Sequence, residues 1–315
     1  EGNQGFSANA GAKIYGAYSR NFAMKSLSVF FRGQYGLSEL EYPLFKEKDI
    51  NTFQSFILRN AGNDFGGAHM RDAVMTTIVK NDIDIDVQAY QPAVVYINGD
   101  YWGIHNIREK INEHYVEANY GIDADDVNVI ENGETPEASN GSAEDFINLM
   151  AYLETADLSQ PEQYESVTSQ IDLDNYIDYM VIEIFYANTD WPGTNVKLWK
   201  PRGDSSQWRW WLYDTDHGFN LYSGEGDYNL DMIEHTTQTQ ESLLKYSNPL
   251  WSTLLFRKLL ENPSFKQQFV TRMADMMNTV FVPERMIAVI DSLQARIAPE
   301  MAKHESRWGI GSAWQ

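Results

Sequence analysis

Residues 93–107 read AVVYINGDYWGIHNI. Two runs of β-branched and aromatic residues flank Asn98-Gly99, a pair that favours positive φ at the centre of a two-residue turn. The stretch is therefore predicted to be a tight β-hairpin, and the sequence changes character across it. Upstream, AKIYGAYSR (12–20), MKSLSVFFRGQYG (24–36) and TFQSFILRN (52–60) read as strands. AHMRDAVMTTIVKN (68–81) has helical spacing at Met70, Val74 and Ile78. Downstream, REKINEHYVEANYG (108–121) reads as a helix closed by Gly121. ENGETPEASNGSAED (131–145) reads as a mobile polar loop. DLDNYIDYMVIEIFYAN (172–188) is a predicted buried helix capped by an Asp, with apolar pairs at 176/177, 180/181 and 184/185. NVKLWKP (195–201) and QWRWWLYD (207–214) suggest a hairpin around RGDSS. Three helices follow from residue 249, each with Pro near its first turn, where the missing N–H costs nothing. A strand-rich part (1–107) preceding a mainly helical part (108–315) is an α+β arrangement rather than alternating βαβ.

Composition narrows the functions. The chain has 315 residues, 43% of them apolar, enough for a sizeable core. Its formal charge of −21 repels nucleic acid and anionic membrane surfaces and is compatible with cation binding. There is no Cys, which excludes disulfides, thiolate catalysis and Cys-ligated zinc. No run of 18 or more apolar residues is present, so no membrane span is expected. The sequence starts at Glu1 rather than Met, which suggests a trimmed start and leaves a signal peptide out of sight. A bacterial envelope or secreted location is the expectation.

The candidate chemistry is acidic. DWPGTN (190–195) follows the predicted buried helix, and WRWWLYDTDHGF (208–219) ends an apolar run in two aspartates. On a strand, Asp214 and Asp216 would point to one face. With the hairpin folded back, Asn195 would join them, giving hard oxygen ligands suited to Mg²⁺ or Mn²⁺. Asp190 would stand beside the metal as a base or positioning group. An Asp-x4-Asn followed by a hairpin and a further Asp is the order used in protein-kinase-like phosphoryl transfer. That reaction needs a cation on the phosphates, for which Lys25 is the candidate. Each part also has a plainer reading, as a capped turn or a solvated strand face. His217, beside the acidic pair, reads as a partly buried histidine. None of the six His has zinc-ligand spacing, and no Gly-x-Ser-x-Gly elbow is present.

Six ordered stretches between about residues 10 and 220 resemble the CotH kinase family, named for spore coat protein H. They are GAYSRNFAMKSLSVFFRGQYG with LEYPLF, FILRNAGND, VVYINGDYWGIHNIREKINEHYV, the acidic loop, YANTDWPGTNVKLWK and WRWWLYDTDHGF. The resemblance implies a bilobed protein-kinase-like fold, ATP with a divalent metal, and phosphorylation of Ser on protein substrates. It makes Asp190 the catalytic-loop Asp and Asn195 its metal-binding companion. It makes Asp214 and Asp216 the metal-binding Asp-x-Asp, and Lys25 with Arg20 the phosphate-binding cations. Glu109 falls near the adenine or, alternatively, at an ordinary helix start. Asp72 is read as a partner of Lys25 or as a surface Asp. Arg59, Asn60 and Asp64 are read as a structural hydrogen-bonding cluster. Ala17-Tyr18 departs from the small residues common before Ser19-Arg20. Two other functions compete with the kinase: a binding scaffold that keeps the fold with little turnover, and a carbohydrate-active enzyme using paired acids beside tryptophans.

Overall fold

The computed structural model describes residues 4–131, 135–203, 205–222, 229–238 and 248–311. In chain order the strands are β1 (Gly11–Tyr15), β2 (Ser26–Phe30), β3 (Leu40–Glu41), β4 (Thr52–Phe53), β5 (Ser55–Arg59), β6 (Asp86–Val87), β7 (Tyr90–Ile97), β8 (Asp100–Glu109), β9 (Val127–Glu131), β10 (Glu137–Asn140), β11 (Lys197–Pro201) and β12 (Arg209–Leu212). The helices are α1 (Arg71–Val79), α2 (Glu113–Tyr120), α3 (Glu144–Thr155), α4 (Pro161–Thr168), α5 (Leu173–Tyr186), α6 (Met232–Thr237), α7 (Leu250–Leu259), α8 (Pro263–Thr279) and α9 (Pro283–Trp308). The fold is α+β with several sheets. It comprises two compact units, one of residues 1–74, 88–121 and 287–315, the other of 75–87 and 122–286.

The first unit holds an antiparallel sheet of order β1-β2-β5-β8-β7. The expected hairpin is present: Ile97 pairs with Asp100, and Asn98 and Gly99 take φ of 53° and 88°. Phe31, Leu40, Leu44, Phe45, Phe53 and Phe56 form a core against this sheet. Polar burial here is heavily bonded. Asp64 accepts backbone N–H groups from Ala68 (3.0 Å), Met70 (3.1 Å) and Arg71 (2.9 Å), so it caps the start of α1. Asn60 donates to Met24 O at 2.7 Å and accepts from Ser26 Oγ at 2.7 Å. The structural cluster read from the sequence is thus present at Asn60 and Asp64. Asp72 is buried, not exposed, and its partner is the buried Arg108 at 3.0 Å rather than Lys25. Two fully desolvated charges need each other more than either needs a solvent-accessible ammonium.

The second unit is built on a sheet of order β10-β9-β11-β12-β6, antiparallel except for β12 with β6. The β11/β12 pairing matches the expected hairpin, with Leu198 opposite Trp210; position 204 of its turn lies outside the described residues. α5 packs on β12, with the Tyr176 and Trp210 rings 4.5 Å apart. Asp172 caps α5 by accepting Asn175 N–H at 3.1 Å, and Asn175 Oδ1 accepts Trp210 N–H at 2.7 Å. α8 is tied to α5 by Arg272, which donates to both Asp178 oxygens at 2.6 and 3.0 Å. α5 is buried on most of its surface, so the loop that follows rests on a rigid base.

The stretch 131–145, expected as a loop, contains β10, which pairs with β9. Its polar edge residues carry no hydrophobic alternation, so main-chain pairing alone defines the strand. Residues 132–134 of that expectation lie outside the described residues. Among the described residues, no helix is long and apolar enough to cross a membrane.

Candidate active site

The loop after α5 is fixed by its own backbone. Ala187 adopts a left-handed conformation (φ 48°), and its N–H closes the helix on Ile184 O at 3.1 Å. Asn188 is fully buried; its amide donates to Glu183 Oε2 at 2.9 Å, and its Oδ1 accepts the Asp190 N–H at 3.4 Å. Thr194 N–H returns to Asp190 O at 3.1 Å, making one tight turn of residues 190–194. Trp191 anchors the loop, donating from its indole to Tyr179 Oη at 2.7 Å, while its carbonyl accepts from His235 at 2.7 Å.

Asn195 follows in left-handed conformation (φ 60°), which turns its side chain back to Asp190: Nδ2 donates to Oδ2 at 3.0 Å. The amide nitrogen is used there, and its carbonyl oxygen remains available as a donor atom to a cation. His217 Nε2 lies 3.9 Å from the same Asp190 oxygen. Burial pushes the Asp190 carboxyl above the usual range, hydrogen bonding by Thr194 opposes it, the His217 charge opposes it further, and the negative charge of Asp214 pushes it up again. Asp190, Asn195 and His217 are therefore brought together within one unit, and the charge of Asp214 is felt there.

The aspartate pair differs from its expected form. β12 ends at Leu212, Asp214 is left-handed (φ 56°), and Asp216 lies in a 3-10 turn, Thr215–His217. The two side chains are thus not set on one strand face; the turn, not the strand pleat, aims them. Asp216 is fully buried, and His217 is buried rather than partly exposed. The turn closes with Gly218, whose N–H reaches Thr215 O at 2.9 Å. A Cβ on Gly218 would lie 2.8 Å from Tyr186 O, so only glycine lets this turn lie against the end of α5.

The other sequence-predicted residues belong to the first unit. Lys25 Nζ donates to Arg20 O at 2.6 Å and Phe22 O at 2.5 Å, which folds the segment before β2 around its ammonium. Arg20 is exposed in a short 3-10 turn, Tyr18–Asn21. Glu109 ends β8 rather than starting a helix. Its carboxylate is buried and held by Lys48 at 2.6 Å, Ala89 N–H at 2.8 Å and Asn119 at 3.1 Å.

Sequence reasoning passed over Glu183, Asn188, Thr194 and His235. One signal was present: Glu183 is an acid inside the apolar run VIEIFY, where a helix buried on most sides has no ordinary use for a charge.

An α+β protein whose buried helix ends in an Asp-x4-Asn turn, with a second aspartate turn packed against it, carries residue types that phosphoryl transfer uses. The family model described as CotH kinase protein matches residues 12–315, and the chain belongs to the CotH kinase family. No individual curated protein matches it significantly.

Proposed function

We propose that this chain is an ATP- and divalent-metal-dependent kinase of protein-kinase-like fold that phosphorylates Ser on protein substrates. The observation that carries the reading is the Asn195–Asp190 hydrogen bond at 3.0 Å with Asp214 close enough to raise the Asp190 carboxyl. In the proposal Asp190 orients the acceptor hydroxyl and takes up its proton; a carboxyl raised above the usual range is a better proton acceptor than a solvated one. His217 and Asn195 hold the Asp190 carboxylate in place. Lys25 and Arg20 are the phosphate-side cations of the proposal, and Glu109 is its adenine-side residue, oriented by Lys48.

The donor set fits a cation that keeps much of its own hydration. Among the described residues, no group of three or more His, Asp or Glu is placed to hold a metal by itself. Two carboxylates and one amide oxygen instead suit Mg²⁺ or Mn²⁺ completed by phosphate and water. Asn195, Asp214 and Asp216 would hold the ion, which when bound neutralises phosphate charge.

A second reading is a nucleotide-binding scaffold with little turnover. It is favoured by Lys25, whose ammonium is engaged by two backbone carbonyls. Transfer of labelled phosphate from ATP to Ser-containing acceptor proteins separates the two. The kinase reading expects transfer that needs Mg²⁺ or Mn²⁺ and is lost in Asp190→Asn. Transfer that survives in Asp190→Asn contradicts the role given to Asp190.

A further inference from the structure

Glu183 and Asn188 are buried polar side chains, both with no solvent exposure, at the end of a helix where the buried neighbours Met180, Val181, Ile182 and Ile184 are apolar. A carboxylate at a helix C-terminus faces the negative end of the helix dipole. An apolar residue would also fill this interior with less desolvation cost. The helix itself ends without help from the side chain: Asn188 N–H bonds to Glu183 O at 3.3 Å and Ala187 N–H to Ile184 O at 3.1 Å. The carboxylate supplies an acceptor for Asn188 Nδ2 at 2.9 Å. That bond fixes which way the amide points, and its oxygen then accepts Asp190 N–H at 3.4 Å. The Asn188 carbonyl accepts Trp191 N–H at 3.3 Å. The first two peptide groups of the DWPGTN loop therefore hang on one residue, and that residue is oriented by one buried acid.

We infer that Glu183 is a positioning residue that sets the Asp190 carboxylate through Asn188. The inference rests on the reading of Asp190 as the residue that orients the acceptor hydroxyl. Glu183 is fully buried and accepts from Asn188, so its effect falls on the transfer step and not on nucleotide affinity.

The test compares Glu183→Gln, which keeps a carbonyl oxygen for Asn188, with Glu183→Leu, which does not. In phosphotransfer assays, Glu183→Leu is expected to lower kcat by about ten- to a hundredfold, with KM for ATP changed by less than about twofold. Glu183→Gln restores kcat to within about threefold of the parent protein. Asn188→Ala leaves the helix intact and reproduces the Glu183→Leu loss, and the double variant is no worse than either single one. Equal losses in Glu183→Gln and Glu183→Leu, or a loss confined to KM, overturn the inference. The Asp190 amide resonance in the ¹⁵N-labelled protein gives a readout that needs no turnover. It shifts in Glu183→Leu and Asn188→Ala and keeps its parent position in Glu183→Gln. If the parent protein transfers no phosphate, the kinase reading falls while the resonance still decides the positioning role. An Asp190 amide that does not move in Asn188→Ala contradicts it.

Discussion

Asp64 and Asp190 are both carboxylates whose burial raises their proton affinity, yet their surroundings differ in kind. Asp64, in the first unit, accepts three backbone N–H groups and lies 3.5 Å from the Arg71 guanidinium. Every contribution beyond burial favours its ionised form. Asp190, in the other unit, accepts an Asn amide, has a His at 3.9 Å, and is pushed the wrong way by Asp214. The same contrast runs through the two regions. Around Asp64, buried charges are matched, as in Arg108–Asp72, or kept neutral, as in the His69, His105 and His304 group. Around Asp190, the charge of Asp214 raises a carboxyl that burial has already raised. Matched burial holds a fold together; a buried carboxyl raised by a like charge costs stability and is the kind of group that clusters at functional sites.

The largest expected effect tests the neutral side of this contrast. The His69 and His304 rings lie 4.4 Å apart, and His69 and His105 donate to Ile104 O and Lys25 O. Burial lowers His69 and His105 to about 4 and His304 to about 3. These folded values lie below the unfolded value of 6.5, so the unfolded chain binds more protons below that pH. The stabilisation is complete above about pH 6.5 and is lost as pH falls toward 4, by up to about 4 kcal/mol per pH unit for three such groups. The raised carboxyls of Asp64, Asp178 and Asp190 act in the opposite sense. Urea midpoints between pH 8 and 5 check this, and a flat profile would remove the neutral-histidine half of the comparison.

Next in size, Asp64→Ala is expected to cost about 3–5 kcal/mol in urea unfolding, because it strands buried amides and a guanidinium partner. Asp190→Asn keeps an acceptor for Asn195 and removes a like charge beside Asp214, so its stability at pH 7 is expected to equal or slightly exceed that of the parent. If both substitutions cost the same, the distinction between the two aspartates fails. Gly218→Ala is smaller, about 1–3 kcal/mol, since the new methyl meets both Tyr186 O and the end of Met75. That substitution is expected to disturb the aspartate turn as well as lower the melting temperature. The mildest is Gly99→Ala in the hairpin turn, where φ is 88° and nothing lies within 4 Å of the new methyl. Only the backbone penalty of about 1–2 kcal/mol applies, and metal or nucleotide binding should be untouched.

The sequence was most legible where the signal is local. The Asn98-Gly99 hairpin, α5 with its Asp172 cap, the β11/β12 pair and the proline-led α7, α8 and α9 all follow from short-range pattern and turn chemistry. Less legible was whatever depends on partners far along the chain. Asp72 finds Arg108 across the fold, and β10 is a strand only because β9 lies beside it. Around the site, the residue types and their order were readable, but the local geometry was not. Asp214 adopts φ of 56°, which ends the strand two residues early, and no hydrophobic period marks such a turn. Glu183 and Asn188 were visible as letters in an apolar run, yet only the folded loop shows that one orients the other.

The most direct test of the central claim, that the Asp190–Asp214–Asp216 turns bind a metal and nucleotide, is the melting temperature with Mg²⁺ or Mn²⁺, with and without ATP. The parent protein is compared with the double variant Asp214→Ala/Asp216→Ala. A ligand that binds the folded state at a hundred times its Kd adds about 2.7 kcal/mol, well within reach of a melting experiment. The account predicts an ATP-dependent rise that requires the metal and disappears in the double variant. No rise in the parent protein, or an equal rise in the double variant, would contradict it.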